Sequence, residues 1–476
     1  MKRILLIFTL LAACFNVFAQ KKGYRVEFNF KEPVSGDVVY LARYYGKPFP
    51  TVFKMDSVML DNKNRKKVVF ESREKILGGF YVIIFNNRTK VMDFLLDNGY
   101  KMTIDLDTTG KRVNSTVKGS QDNEINFELG RIGERYDEAF SKVGGDTAKL
   151  RQLQDKIGDE IEAYRKNVVK KHPNLLITKY YKTFLKPETP KGPHYLEDGK
   201  TVDSFYEIEY LSRHYWDNFD LKDDRLLIAP IYERALETYF DYLVYPIPDT
   251  VMARADELLK RTEGTEDLYR FTMRWLTNKM LNSKVMGMDE VFVHLVENYH
   301  MKGKTPWLDE AGVKEYVDIM GKISPTSLGQ TAPGLVLQNV FTHNDVNLLQ
   351  VPADYLVVLF WDIDCGNCRR EIAALDTMYQ KELKGKGVKI FAVATNGQLD
   401  KLQTFLEEHH ATEWINVADF KNTKEYKEKY NVMGTPTMYL LDKDKKIIGK
   451  KISHENLPGL LEWHINKEKK KVQQTH

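Results

Sequence analysis

The chain has 476 residues, of which 42% are hydrophobic and 29% charged, so it is long enough for about three globular domains. Its formal net charge is +4, and about +2 remains if Lys2 and Arg3 are removed with a leader. A near-neutral chain of this size has no electrostatic basis for binding nucleic acid, so we expect no such partner.

Residues 1–19 have the pattern of a signal peptide. Two basic residues precede an apolar run over residues 4–13, and Val17 and Ala19 place small residues at the −3 and −1 positions of a cleavage site. The alternative is a lipoprotein signal, because residues 11–14 (LAAC) fit a lipobox in which Cys14 would be lipidated. Simple cleavage is favoured because the apolar run continues beyond Cys14. Both interpretations predict export to the periplasm or cell envelope.

Residues 20–118 have the alternating pattern of half-buried β-strands. Val26, Phe28 and Phe30 alternate with polar residues, and Asn, Asp and Gly occupy the predicted turns. The other predicted strands share this pattern and cover residues 38–41, 57–60, 67–70, 80–85, 92–96 and 102–106. About seven short strands predict an N-terminal antiparallel β-sandwich.

From residue 119 to 325 the apolar residues recur at three- and four-residue steps, which predicts a central all-α domain. The predicted helices cover residues 150–168, 228–244, 251–259, 268–281 and 288–299, and Asp249 is the expected N-cap of the third. We expect residues 323–327 (ISPTS) to form the linker to the next domain.

Residues 326–476 alternate between strand and helix. Residues 355–361 form a continuous apolar run, as in a strand buried on both faces, and a helix is expected to begin near Cys365. The predicted order is β-α-β-α-β-α-β-β-α, which is typical of a C-terminal α/β domain with a thioredoxin-like fold.

Cys365 and Cys368 are the only cysteines outside the predicted leader, and they form one C-x-x-C motif. A thiolate is the nucleophile of disulfide exchange, and the N–H groups at the start of a helix stabilise it. We therefore expect Cys365 to attack and the deeper Cys368 to resolve, with Arg369 and Arg370 adding positive charge nearby. A zinc site is disfavoured because four ligands are needed and no second cysteine pair exists, so no metal is expected.

Residues 361–371 (WDIDCGNCRRE), 433–437 (MGTPT) and 329–333 (GQTAP) resemble the TlpA/ResA branch of bacterial envelope thioredoxins. The resemblance covers residues 326–467, and the preceding regions resemble poorly characterised modules of Bacteroidota envelope proteins. It implies a thioredoxin fold, a redox-active Cys365–Cys368 disulfide without a further cofactor, and recharging by a membrane electron donor. It also implies a cis bond before Pro436.

The resemblance further implies that Glu371 acts as acid and base beside the buried thiol; the alternative from the residues alone is a solvated surface glutamate. Leu359 stands where classical thioredoxin has a buried aspartate, so Glu371 is its expected substitute. Trp361, Thr435 and Pro436 are the predicted substrate-binding residues, with Thr435 pairing with an extended peptide. The Trp361 ring is expected to lie in the core with one edge near the active site.

Together these patterns predict a periplasmic thiol-disulfide oxidoreductase that reduces protein disulfides, with protein thiols or disulfides as partners. The alternative is an envelope binding or scaffold protein whose β and helical domains capture a partner. A peroxidase is a third, weaker hypothesis, because the C-x-x-C lies where reductases carry it.

Overall fold

The computed structural model describes residues 23–85, 89–106 and 111–474, so the predicted signal peptide and Cys14 lie outside the described residues. The chain divides into two compact units. The first contains the described residues up to Tyr245 together with Glu257–Thr272, and the second contains Pro246–Asp256 and the chain from Met273 onward.

Two four-stranded sheets form the N-terminal part of the first unit, in the strand orders β4-β1-β7-β8 and β3-β2-β5-β6. The strands are β1 Tyr24–Phe30, β2 Val38–Tyr44, β3 Val52–Met59, β4 Lys67–Ser72, β5 Gly79–Phe85, β6 Lys90–Leu96, β7 Lys101–Leu106 and β8 Thr116–Lys118. One core joins both sheets, with Val26 and Phe28 from the first facing Leu41 and Phe94 from the second. The β-sandwich is confirmed, but it is not wholly antiparallel, because β1 pairs with β7 in parallel.

Helices follow the strands up to residue 323, which confirms the predicted helical region. In the first unit they are α1 Gln121–Val143, α2 Thr147–Lys171, α3 Leu176–Lys182, α4 Tyr206–His214 and α5 Tyr232–Thr238. The next two, α6 Pro248–Thr262 and α7 Asp267–Leu281, have residues in both units, and α8 Met288–Leu295 and α9 Glu310–Ile323 lie in the second. Buried Asn123 ties α1 to β6, because its side chain accepts from Leu95 N at 2.7 Å and donates to Leu95 O at 2.8 Å.

One local prediction in the helical region is wrong. Asp249 lies inside the first turn of α6 and not before it, because that helix already begins at Pro248, where a proline is well tolerated. At the predicted linker, residues 323–327, α9 ends at Ile323, a short 3₁₀ turn covers Ser324–Thr326, and the Ile323 and Thr326 side chains are buried.

The C-terminal domain is built on a seven-stranded sheet in the order β10-β9-β13-β12-β11-β14-β15. Its elements are β9 Val336–Asn339, β10 Asp345–Asn347, β11 Tyr355–Trp361, α10 Gly366–Met378, β12 Val388–Ala394, α11 Leu399–Glu408, β13 Ile415–Ala418, α12 Glu425–Lys429, β14 Thr437–Leu441, β15 Ile447–Lys450 and α13 Leu457–Gln474. This confirms the predicted α/β order, preceded by the β9–β10 hairpin.

Strand β11 lies in the middle of this sheet and is buried on both faces. Its odd-numbered residues Leu359 and Trp361 join a core with α10, α11 and α13, while Val358 and Phe360 join a second core on the opposite face. A strand in the middle of a sheet covered on both sides must be apolar at every position, which accounts for the uninterrupted run. The strand therefore ends, and α10 begins, at a rigid edge of the domain.

A buried ion pair joins α8 to β15 within the second unit. Lys450 Nζ lies 3.0 Å from Asp289 Oδ2 and 3.9 Å from Glu290 Oε1, and the Lys450 and Asp289 side chains are only 2% and 8% exposed. Both charges are almost completely shielded from water, so each depends mainly on the other for compensation.

We predict that Lys450→Met lowers the free energy of unfolding by about 3–5 kcal/mol, because Asp289 is then buried without its partner. Chemical denaturation measures the change. The matched control is Lys451→Met, since Lys451 is half exposed and lies 3.7 Å from the same carboxylate; its loss should stay below ~1 kcal/mol. Equal losses in the two variants would contradict the prediction.

Candidate redox site

The first turn of α10 is capped by a cysteine. Cys365 lies just before the helix in extended backbone, and its Sγ accepts a hydrogen bond from the backbone N–H of Cys368 at 3.3 Å. The turn that brings it there is closed by Cys365 N donating to Asp362 O at 3.2 Å and by Asp364 N donating to Asp362 Oδ1 at 2.8 Å. The sulfur thus occupies the position that a Ser or Asp oxygen takes in an ordinary N-cap.

The two thiols differ in exposure and acidity. Cys365 is partly exposed, whereas Cys368 is 0% exposed inside the core beneath α10. The hydrogen bond from the Cys368 thiol, assisted by the backbone N–H groups of Cys368 and Asn367 and by Thr435, lowers the pKa of Cys365. Burial, together with the neighbouring Cys365, raises the pKa of Cys368 to about 11. Cys365 is therefore the more accessible and the more acidic of the two thiols.

The loop that precedes β14, the neighbour of β11 in the sheet, faces Cys365. The Thr435–Pro436 peptide bond is cis, and the Cys365 Sγ–H donates to the carbonyl oxygen of Thr435 at 3.5 Å. Two residues earlier, the Met433 side chain is 89% exposed. The structure thus brings Thr435 and Pro436 to the C-x-x-C, as the sequence predicts, and adds an exposed apolar side chain that sequence reasoning did not single out.

Arg369 and Arg370 are engaged away from the sulfur. Arg369 Nε donates to Ile363 O at 3.1 Å, and the Arg370 guanidinium is hydrogen-bonded to the Asn367 side chain. The main groups that lower the pKa of Cys365 are neutral hydrogen-bonding groups, and neither arginine is among them. The expected contribution of these arginines to thiolate stability is therefore not supported by the structure.

Glu371 lies on α10 one turn after Cys368, and its carboxylate is held by His454. Glu371 Oε1 accepts from the His454 backbone N–H at 2.6 Å, and Oε2 lies 2.8 Å from His454 Nδ1. The Glu371 side chain is 12% exposed, so it is not the solvated surface residue of the alternative interpretation. Sequence reasoning missed His454, which is 83 positions away, and no local pattern marks it.

Trp361 lies in the core, as expected, but without an exposed edge. Its side chain is 1% exposed and stacks on Phe405 with ring centroids 5.3 Å apart. Its carbonyl oxygen accepts from Thr395 N at 2.8 Å, fixing the end of β11 to the next loop. A ring with so little free surface positions the strand end from which α10 departs, and offers a substrate nothing to bind.

Over residues 23–85, 89–106 and 111–474, no cluster of three or more His, Cys, Asp or Glu side chains is arranged as metal ligands would be. No helix among the same residues is long and apolar enough to cross a membrane.

Three family models match separate parts of the chain. Residues 328–450 match the AhpC/TSA family, residues 24–126 match a domain of unknown function (DUF4369), and residues 177–324 match another (DUF5106). The thiol-disulfide oxidoreductase ResA of Bacillus cereus is 28% identical over 140 residues, which are 29% of this chain and 78% of that protein.

Two solved structures are also similar. A domain of a possible thiol-disulfide isomerase from Cytophaga hutchinsonii is 33% identical, with a TM-score of 0.28, and the match covers 30% of this chain and 96% of that one. A thioredoxin-like protein from Bacteroides caccae is 22% identical with a TM-score of 0.47, covering 58% of this chain and 100% of that one.

The capped cysteine, its buried partner and the matched family define a thioredoxin-fold thiol-disulfide oxidoreductase. The domain that carries the two cysteines is similar to ResA, and additional N-terminal modules precede it.

We predict that iodoacetamide modifies Cys365 before Cys368 in the reduced protein. Because the pKa of Cys365 is lowered, its rate should rise with pH and level off below the ordinary thiol value of 9.0. Cys368 should react freely only as the pH approaches about 11. Mass spectrometry of labelled peptides at pH 8 should show that Cys368 is modified more than ~10²-fold more slowly than Cys365, because a much smaller fraction of Cys368 is thiolate at that pH. Faster labelling of Cys368 would reverse the assignment.

Proposed function

We propose that the protein is a periplasmic reductase of protein disulfides in which Cys365 attacks and Cys368 resolves. The observation that carries the proposal is the asymmetry of the two thiols: an accessible one with a lowered pKa caps the helix, and a buried one with a raised pKa lies behind it. The electrons are carried by this pair itself, without a bound cofactor.

The reaction proceeds in two exchanges. The Cys365 thiolate attacks one sulfur of the substrate disulfide, forming a mixed disulfide and releasing the other substrate sulfur as a thiolate. The Cys368 thiolate then attacks Cys365 Sγ, which frees the second substrate thiol and closes the Cys365–Cys368 disulfide. The substrate disulfide gains two electrons, and the dithiol of the protein loses the same two electrons.

The substrate backbone docks beside Thr435 and Pro436. The Thr435 carbonyl faces Cys365 Sγ, so an extended peptide carrying the disulfide can pair with this loop as a short added strand. Met433 lies on the same loop and is exposed, and a flexible thioether surface suits varied substrate side chains. The site is thereby specific for backbone geometry and tolerant of sequence.

Glu371 and His454 together serve as the base for the resolving step. Cys368 must lose a proton before it attacks, and its pKa of about 11 keeps it protonated at neutral pH. Glu371 is one helical turn away, and its bonds to His454 hold the carboxylate in the mostly buried edge of α10. A positioned carboxylate can receive such a proton directly or through one water molecule.

The proposed direction of electron flow, from this protein to its substrate, follows from the weak stabilisation of the Cys365 thiolate. A strong oxidant stabilises its reduced form through a very acidic thiol, usually beside a cation. The groups that lower the pKa of Cys365 are neutral, and the adjacent arginines are bound elsewhere. This supports a thiol pair that gives up electrons readily. The leader-like residues 1–19 support export, and a membrane electron donor would return the pair to the dithiol.

We predict a reduction potential for the Cys365–Cys368 couple below about −180 mV and nearer to about −270 mV, the range of reductants. Equilibration of the purified protein with glutathione and dithiothreitol buffers measures it. The protein should also reduce insulin disulfides, and Cys365→Ser should abolish this reaction. A potential above about −180 mV would exclude the reductase and indicate an oxidase or isomerase.

We predict that Glu371→Gln slows resolution by about 10²-fold without slowing attack, because it removes only the base for Cys368. Reaction with dithionitrobenzoate separates the steps, since the first thionitrobenzoate released reports attack and the second reports resolution. His454→Phe should slow the second release as well. Glu413→Gln, which changes a surface carboxylate paired with Lys384, is the control. Normal second release in Glu371→Gln would reduce Glu371 to a structural role.

A further inference from the structure

A cavity of about 880 Å³ lies within the first unit and has no part in the redox site. Its walls come from α2, from the segment that follows α3, from the end of α4 and the residues after it, and from α5. Most of its lining surface is apolar, contributed by side chains such as Phe184, Leu211, Phe219 and Leu243. Cavities that hold small organic ligands are about 300–1,000 Å³ and mainly apolar, so this one has the size and character of a binding site.

The charges around this cavity have one sign. Arg165, Lys186 and Arg234 line it, and none of the described residues that line it is acidic. Lys186 and Arg234 are exposed, whereas Arg165 is part-buried against the aromatic wall. An apolar cavity with cations and no lining carboxylate favours a ligand with an apolar body and a negative charge.

Arg165 is the cation in this cavity whose charge is poorly compensated by its surroundings. Its Cζ lies 4.1 Å from the ring centroid of Phe184, and its Nε is buried without a hydrogen-bond acceptor among the described residues. Burial lowers the pKa of Arg165, which shows that its charge is poorly solvated there. The charge of the neighbouring Glu162 also acts on Arg165, but that carboxylate is paired with Lys166 at 2.7 Å. The guanidinium is therefore incompletely compensated, and a carboxylate in the cavity can accept hydrogen bonds from the part of the group that faces the cavity.

We propose that this cavity binds a small amphipathic carboxylate, with the carboxylate at Arg165 and the apolar body against Phe184, Phe219 and Leu243. The exposed Arg234 and Lys186 attract the anion to the opening. Either a free acyl-chain carboxylate or the C-terminal carboxylate of an apolar peptide has this chemistry. The site would let the N-terminal modules of this oxidoreductase recognise a ligand independently of the dithiol.

The test uses the full chain with dansylaminoundecanoic acid as a fluorescent probe and its methyl ester as the uncharged counterpart. The acid should bind at one site, and the ester should bind at least about tenfold more weakly, because it cannot make a charge-assisted pair with Arg165. Arg165→Met should weaken binding of the acid to the level of the ester. Arg151→Met, an exposed arginine on the same helix outside the cavity, should bind like the parent.

Arg234→Met, at an exposed position, should weaken binding of the acid severalfold, and this second variant tests the proposal if Arg165→Met does not fold. Displacement of the probe by decanoate or by an apolar tetrapeptide with a free C-terminus supports the proposal and distinguishes the two sources. The proposal is overturned if neither probe binds, if acid and ester bind equally, or if the arginine variants weaken both probes alike.

Discussion

The hydrogen bond from Cys368 N–H to the sulfur of Cys365 is the interaction on which the redox site depends. The first N–H groups of any helix lack partners within the helix, and a side-chain acceptor before the first turn satisfies one of them. Here that acceptor is also the reactive atom. One contact therefore begins α10, fixes the sulfur beside the Thr435 carbonyl and favours the thiolate over the thiol.

Much of this site follows from local sequence signals. The apolar run at β11 requires a strand covered on both faces, and the C-x-x-C directly after it can only lie at the strand end, where a helix starts. The predicted positions of Thr435 and Pro436 rest on the resemblance and not on any pattern within the chain itself. The alternation of Val26, Phe28 and Phe30 likewise identifies a sandwich strand, because the period of two is a property of a single strand.

What the sequence does not reveal are pairings between distant residues. His454 holds Glu371 across 83 positions, and Lys450 meets Asp289 from another part of the chain. A histidine or lysine in a polar segment has no periodic signature, so nothing local distinguishes these from solvated residues. The parallel pairing of β1 with β7 is similar, since alternation indicates which face is buried and not the direction of the neighbouring strand. The full burial of the Trp361 edge is not a local signal either, because a large ring next to a reactive motif has the same sequence appearance whether its edge faces the core or solvent.

The buried ion pair of Lys450 bears on where the redox domain can be separated from the rest of the chain. A fragment starting at residue 326 would keep Lys450 but lose both Asp289 and Glu290, and the Leu328 N–H would lose its acceptor, Glu290 Oε1, at 2.8 Å. It would therefore carry an uncompensated ammonium group at the end of β15 and a bare surface where α8 had packed. The smallest fragment of this oxidoreductase that folds by itself should begin before Met288. It then includes α8, whose carboxylates compensate the charge of Lys450 on β15.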